Sequence, residues 1–368
     1  MIKLSDFASV TAGQGAPQDD SAFVQTGGKP FIRAGSLDML CSGNSENDCE
    51  HISDEAAQKH RLKIYPENSI LFAKSGMSAK MGRVYRLRNP AYVVSHLAII
   101  TPQEKVAEPS YLEHWFRANP PSNLIKDEAY PSIRTSEIEQ ISVPLPTLDE
   151  QKRIAGILDK ADAIRRKRAE SLKLLDELLR ATFLDMFGDP ITNPKGWPTK
   201  GLLELFDITT GKLDSNAAVP GGEYPFFTCA RESFWIDNYA FDSEVLLLAG
   251  NNASADYSVK HYKGKFNAYQ RTYVMSLKDQ RNHYRLFKIA LESRLGELKR
   301  RSKGTNTKYL TMGILKEIML PVPDYNLQNQ FDEIAQKVEV ECQKLNSYAS
   351  ESDTLFHSLV ARAFKGEL

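Results

Sequence analysis

The chain has 368 residues, in which 47 Lys+Arg balance 47 Asp+Glu and 42% of residues are hydrophobic. That is enough apolar material for more than one core, no run approaches the roughly eighteen apolar residues that span a bilayer, and four cysteines (Cys41, Cys49, Cys229, Cys342) are too few and scattered for a disulfide framework. The N-terminus lacks a signal-peptide core, so a soluble, intracellular chain is expected, and neutrality excludes a uniformly basic nucleic-acid binder while leaving room for local basic surface.

Residues 1–20 carry a Gly-rich turn, Gly13-Gln14-Gly15, with no Lys-Ser/Thr after it and hence no phosphate loop. The acidic stretch Ser42 to Glu55 reads as a solvated loop, and Cys41, Cys49, His51 and His60 match no standard metal-ligand spacing. Short β-like runs follow at 69–73, 82–87 and 91–100, the last read as one buried strand that would make His96 a core histidine more readily than a base reader. The segment Lys74 to Arg88 holds Lys74, Lys80, Arg83, Arg86 and Arg88 with no acid among them. A helical stretch over 110–126 is broken by Asn119-Pro120-Pro121-Ser122; a target-amino-holding turn of DNA methyltransferases would need an aromatic where Ser122 stands, so the turn reads as structural.

Pro144-Leu145-Pro146 then opens a proline-free stretch in which Ile154, Ile157, Ala161, Ile164, Arg168, Leu172, Leu175, Leu179, Thr182 and Met186 recur at spacings of three and four. The spacing predicts a helix of some 55 Å, begun just after the prolines and stopped by Gly188-Asp189-Pro190. Pro321-Val322-Pro323 and Gln328 repeat Pro144-Leu145-Pro146 and Gln151 at an offset of 177, and Phe331, Ile334, Val338, Glu341, Leu345, Tyr348, Ser352, Leu355, Leu359 and Arg362 continue the pattern. Weaker matches run in order between the halves, among them Thr11-Ala12-Gly13 with Thr209-Thr210-Gly211 and Ser69 to Ala73 with Glu244 to Ala249. The chain therefore reads as a duplication of α+β units: a globular domain over 1–146, a rod over 147–190, a second domain over 191–320 and a second rod over 321–368.

By segment the net charges are −2, 0, +6 and −4, so the second globular unit is basic. Its β runs are expected at 203–210, 226–229, 244–249, 257–262 and 266–275, and a helical stretch runs from His283 to Lys303. Basic, aromatic and amide residues interleave in Lys260, Lys263, Lys265, Tyr269, Gln270 and Arg271, a combination suited to phosphates and base edges. Arg300, Arg301, Lys303, Thr305 and Lys308 form a basic, hydroxyl-bearing loop suited to phosphate contact, and Lys212, Asn251 and Asn252 sit in polar turns. With Lys74, Ser75, Lys80, Arg83, Arg86 and His96 of the first unit these are the candidate DNA-contacting residues. No paired-carboxylate nuclease signature, Walker lysine loop, Gly-x-Ser-x-Gly elbow or metal motif is found, so no catalytic role is expected.

At this point the stretch Ile141-Ser142-Val143-Pro144-Leu145-Pro146-Thr147-Leu148-Asp149-Glu150-Gln151-Lys152-Arg153-Ile154-Ala155, with the helix that ends at Phe183-Leu184-Asp185-Met186-Phe187-Gly188-Asp189, resembles the specificity subunits of Type I restriction-modification enzymes. The second start, Asn326-Leu327-Gln328, departs from the usual Glu-Gln. The resemblance implies two target-recognition domains that each read half of a split, asymmetric site in double-stranded DNA, with the rods packed as an antiparallel coiled coil and a pseudo-twofold internal repeat. It also implies that the rods space the halves and dock two methyltransferase subunits, through faces assigned to Glu150, Gln151, Ile154, Ile157, Ile164, Leu175, Gln328, Phe331, Ile334, Val338, Leu345, Leu355 and Leu359. S-adenosylmethionine, ATP and Mg are expected on the methyltransferase and motor-nuclease partners, in the cytoplasm. The competing readings are a coiled-coil scaffold without DNA specificity and a methyltransferase with its own site.

Overall fold

The computed structural model describes residues 1–25 and 27–368, and it contains both long helices, Leu148–Phe187 and Tyr325–Lys365. Thr147 and Asp324 start them in the same way: the Thr147 hydroxyl accepts from the Glu150 amide at 3.4 Å and the Asp324 carboxylate from the Asn326 amide at 2.8 Å. Asp324 thus caps the second start at the place Thr147 holds in the first, although Leu327 stands where the first copy has Glu150. Gly188, at φ 77°, ends the first helix in the left-handed conformation that favours glycine.

The chain divides into two compact units, residues 1–170 with 347–368, and residues 171–346. Each long helix therefore contributes one stretch to each unit. In the first unit Arg165 pairs with Asp353 at 2.7 Å and Arg168 donates to the Tyr348 carbonyl at 3.2 Å, so the helices run antiparallel there. In the second, Phe183 and Phe187 pack on Phe331 at 5.7 and 5.5 Å, while Asp176 and Cys342 line one cavity. That order is again antiparallel.

The expected duplication is visible in the strand pairing. In the first unit Ala8–Ala12 pairs with Leu97–Pro102, which pairs with Ile70–Ala73; in the second, Phe206–Thr210 pairs with Thr272–Leu277, which pairs with Phe241–Ala249. A parallel pair follows in each, Phe31 beside Tyr92 and Phe226 beside Asn267. Gly13 and Gly211 hold equivalent places, where a Cβ would lie 2.2 Å from the Val94 oxygen and 1.8 Å from the Ala268 oxygen. No other residue fits there without moving backbone.

Several sequence expectations shift. The run 91–100 is not one strand: Tyr92–Val93 joins one four-stranded sheet, beside Lys29–Ile32, and Leu97–Pro102 joins the other, beside Ala8–Ala12, with Ser95 and His96 turning between them. His96 is therefore exposed rather than a core histidine. The runs 257–262 and 266–275 are redrawn as Val259–Ala268 and Thr272–Leu277, because Gly264 lies inside a strand opposite Ser243 and the turn falls at 269–271. Ser42 to Glu55 is not a free loop: Glu46 is fully buried, accepting from the Tyr85 hydroxyl at 2.9 Å and the Arg88 amide at 2.6 Å. Burial, and then its hydrogen bond to Glu46, push the Tyr85 phenol well above its ordinary range.

Candidate nucleic-acid interface

Each unit builds the same three-segment junction. In the first, the strand Ile70–Ala73 ends at Lys74, whose amide donates to the His96 carbonyl at 2.9 Å and whose carbonyl accepts from the Ile133 amide at 2.8 Å. Ser75 then bridges to Ser132, and Gly76, at φ 76°, turns the chain away. In the second, the strand Phe241–Ala249 ends at Gly250, whose amide donates to the Arg271 carbonyl at 2.9 Å and whose carbonyl accepts from the Leu310 amide at 2.8 Å. Asn251 then pairs with Tyr309 and Asn252 with Lys308. A Cβ at Gly250 would sit 2.2 Å from the Arg271 oxygen, so the close approach requires glycine.

Around the first junction, Ser75 Oγ lies 2.8 Å from His96 Nδ1, which orients an exposed imidazole. Lys80 pairs with Glu128 at 3.5 Å and Arg83 with Asp38 at 2.6 Å. Tyr130, 81% exposed, and exposed Met77 and Met81, at the two ends of the one-turn helix Met77–Lys80, stand beside it; the sequence offered no signal for them, since isolated apolar residues in so short an element carry no period. Arg86 lies elsewhere. Its guanidinium donates to the buried Glu113 at 2.8 Å and to Asn68 at 2.8 Å, so a residue read as a DNA contact is committed to the core of its own unit.

Around the second junction, Lys303 and Tyr309 exchange backbone bonds of 3.0 and 2.8 Å, closing the loop that carries Thr305. Lys303, Thr305, Arg271, Arg300 and Lys212 are exposed, and among the described residues none of the four cations in that set has an acidic partner. Lys308 is half-buried and held by its backbone pair, while Tyr309, missed although it adjoins the basic run, is exposed.

Other candidates are engaged. Asn252 spends its amide on its own loop, accepting from the Ser254 amide and hydroxyl at 2.9 Å each. Lys260 donates to the Ala230 carbonyl at 2.9 Å, and burial lowers its pKa: it braces the 229–232 loop rather than facing solvent. Gln270 donates to Asp214 at 3.2 Å, Lys263 pairs with Glu244 at 3.1 Å, Lys265 stands 4.7 Å over the Tyr239 ring, and half-buried Tyr269 donates its amide to the Phe227 carbonyl at 2.9 Å. Arg301 is tied to Glu297 at 2.7 Å and also to Glu317.

The helix faces also resolve. Gln151 and Gln328 are fully buried, and Ile154, Phe331 and Val338 belong to the cores of their own units, so these five do not form a docking face. Glu150 is held by Arg153 at 2.7 Å, and Ile157, Leu175, Leu345 and Leu359 are half-buried. Ile164 at 62% and Leu355 at 59% exposure, with Ile334 at 36%, face outward; Leu158, Ala335 and Ala363 are buried along with Ile154, Phe331 and Val338 of the expected stripe, Leu158 and Ala335 one position past Ile157 and Ile334. Asn119 donates its side-chain amide to the Trp115 carbonyl at 3.0 Å, capping the helix Pro109–Ala118, as the structural reading of that turn expects. No helix is long and apolar enough to cross a membrane, and among the described residues no group of three or more His, Cys, Asp or Glu could hold a metal ion.

The family model for the Type I restriction modification DNA specificity domain matches residues 1–174 and 194–347. Over 179 residues the chain is 34% identical to the Type I restriction enzyme EcoDI specificity subunit of Escherichia coli, a match covering 48% of this chain and 39% of that protein. Over 300 residues it is 24% identical to the Type I restriction enzyme MjaIX specificity subunit of Methanocaldococcus jannaschii, covering 74% and 66% respectively. The chain thus matches less than two thirds of the length of either relative. In fold it is similar to the crystal structure of a Type-I restriction-modification system S subunit from M. genitalium, with a TM-score of 0.68 at 14% identity over 99% of this chain and 95% of that one.

Proposed function

The chain belongs to the Type I restriction-modification DNA specificity family, and on that premise we propose that it is the subunit that reads a split, asymmetric target in double-stranded DNA for a Type I complex. Each recognition domain reads one half-site. The long helices act as an antiparallel coiled coil that relates the halves by a pseudo-twofold repeat and sets the gap between them. The observation that carries the reading is the junction at Lys74 and at Gly250, built twice with the same backbone bonds and different side chains. Two readers of one duplex need the same approach to the groove and different chemistry at its floor.

Two methyltransferase subunits dock on outward helix faces, for which exposed Ile164, Ile334 and Leu355 offer apolar contact, and motor-nuclease subunits join that core. Catalysis, with S-adenosylmethionine, ATP and Mg, belongs to those cytoplasmic partners. This chain supplies position: exposed Arg300, Lys303 and Lys212 neutralise phosphates, and adenine is flipped into a partner's pocket. The experiment is DNA binding by the methyltransferase-bound complex across a salt series. The reading requires affinity that falls steeply with salt and favours one sequence; binding that is absent, or equal for every sequence, would leave only a scaffold.

A further inference from the structure

The duplication singles out one residue in each unit. In both, the residue that follows the central strand is clamped from one side by a carbonyl, that of His96 or of Arg271, and from the other by an amide, that of Ile133 or of Leu310. The register agrees on both sides: Ala73 pairs with Leu97 and Ala249 with Thr272, one step before each clamp. His96 and Arg271 thus hold the same place in the two frames, fixed through their backbones, with exposed side chains of different chemistry. That is the pattern expected of a reading position, where a constant frame presents an interchangeable group to the base edges.

Resting on the specificity reading above, we infer that His96 and Arg271 are the base-reading residues of the two half-sites, with Arg271 addressing a guanine. The guanidinium of Arg271 has no acidic partner among the described residues, and its fork matches the O6 and N7 acceptors of guanine in the major groove. Its carbonyl is already spent on the Gly250 amide and on Cys229 Sγ at 3.4 Å, so the backbone beneath it is held while the side chain is free. His96 is held at Nδ1 by Ser75 Oγ at 2.8 Å and presents a single nitrogen, Nε2. One atom reads one base edge, so the first half-site has the weaker specification at this position.

The test is the full chain co-expressed with its methyltransferase partner in a host without adenine methylation, with methylated adenines mapped by single-molecule sequencing. Arg271→Ala makes one guanine of one half-site degenerate, a loss of about tenfold to a hundredfold in discrimination, while the other half-site and the gap stay fixed. Arg271→Lys keeps the charge and loses the fork, so it is degenerate at the same base; His96→Ala relaxes the opposite half-site. Rescue of the native motif by Arg271→Lys, or an unchanged motif in both Arg271 variants, would overturn the inference by reducing Arg271 to a phosphate contact or to none. Should Arg271→Ala abolish methylation altogether, Arg271→Lys decides. A wild-type chain without a split motif would instead defeat the specificity reading, and the two failures are separable.

Discussion

The side-chain amide of Gln328 donates to the carbonyl of Pro323 at 2.9 Å, and Gln151 does the same to Pro146 at 2.9 Å. Each glutamine also accepts a backbone amide at the start of a helix of its own globular unit, Gln151 from Glu108 at 2.9 Å and Gln328 from His283 at 3.3 Å. The repeated Pro-x-Pro…Gln is thus a clasp that ties the root of each long helix to its globular unit. Replacing either glutamine with Ala strands buried donors and acceptors, and a loss of about 1–3 kcal/mol is expected from that unit in urea unfolding. Gln328→Glu loses the amide donor as well, and a variant as stable as the parent would mean the clasp is dispensable.

The second unit is expected to weaken on mild acidification. Burial disfavours the imidazolium of His261 and lowers its pKa, with Arg285 adding to the effect and Glu244 and Glu339 opposing it. A depressed folded pKa lets the unfolded chain take the proton first, so stability falls as pH drops below about 6.5, by at most about 1.4 kcal/mol per pH unit. Glu244, whose hydrogen bonds from His261 and Lys263 outweigh burial and lower its pKa, adds its loss only nearer the carboxylate range. Urea midpoints at pH 7.5 and 5.5 measure this, and His261→Gln is expected to flatten the slope; stability that rises toward pH 5.5 contradicts the assignment.

Arg300 and Lys303 are exposed without acidic partners among the described residues, whereas Arg301 is tied to Glu297 and Glu317. Arg300→Ala with Lys303→Ala is therefore expected to weaken binding almost equally for all sequences and to reduce the salt slope by about 2, and Arg301→Ala to do much less. A changed recognition sequence at unchanged affinity would show that these residues read bases.

If the helix pair is the ruler, removing one heptad from both long helices shortens it by about 10 Å, or about 3 base pairs of duplex. The gap accepted is expected to contract by that amount with both half-sites intact. A gap of the original length would place the ruler elsewhere.

The long helices, their starts and the duplication were legible because each leaves a local mark: proline before, Gly188 after, Gln at a fixed offset. The faces of the helices were less so. Ile164 and Leu355 fit the apolar period as well as Leu158 and Ala335 do, and only packing decides which of two overlapping stripes turns inward. The site was legible by composition but not by partner. Arg86, Lys260 and Arg271 are alike as letters, and the structure separates them through Glu113, the Ala230 carbonyl and open solvent. His96 was masked by an apolar run that sequence alone could not divide between two sheets.

The most direct measurement is to co-express the wild-type chain with its methyltransferase partner and map methylated adenines across a genome. A split, asymmetric motif with one constant gap is the predicted result. A continuous motif, or none from a stable complex, would contradict the account.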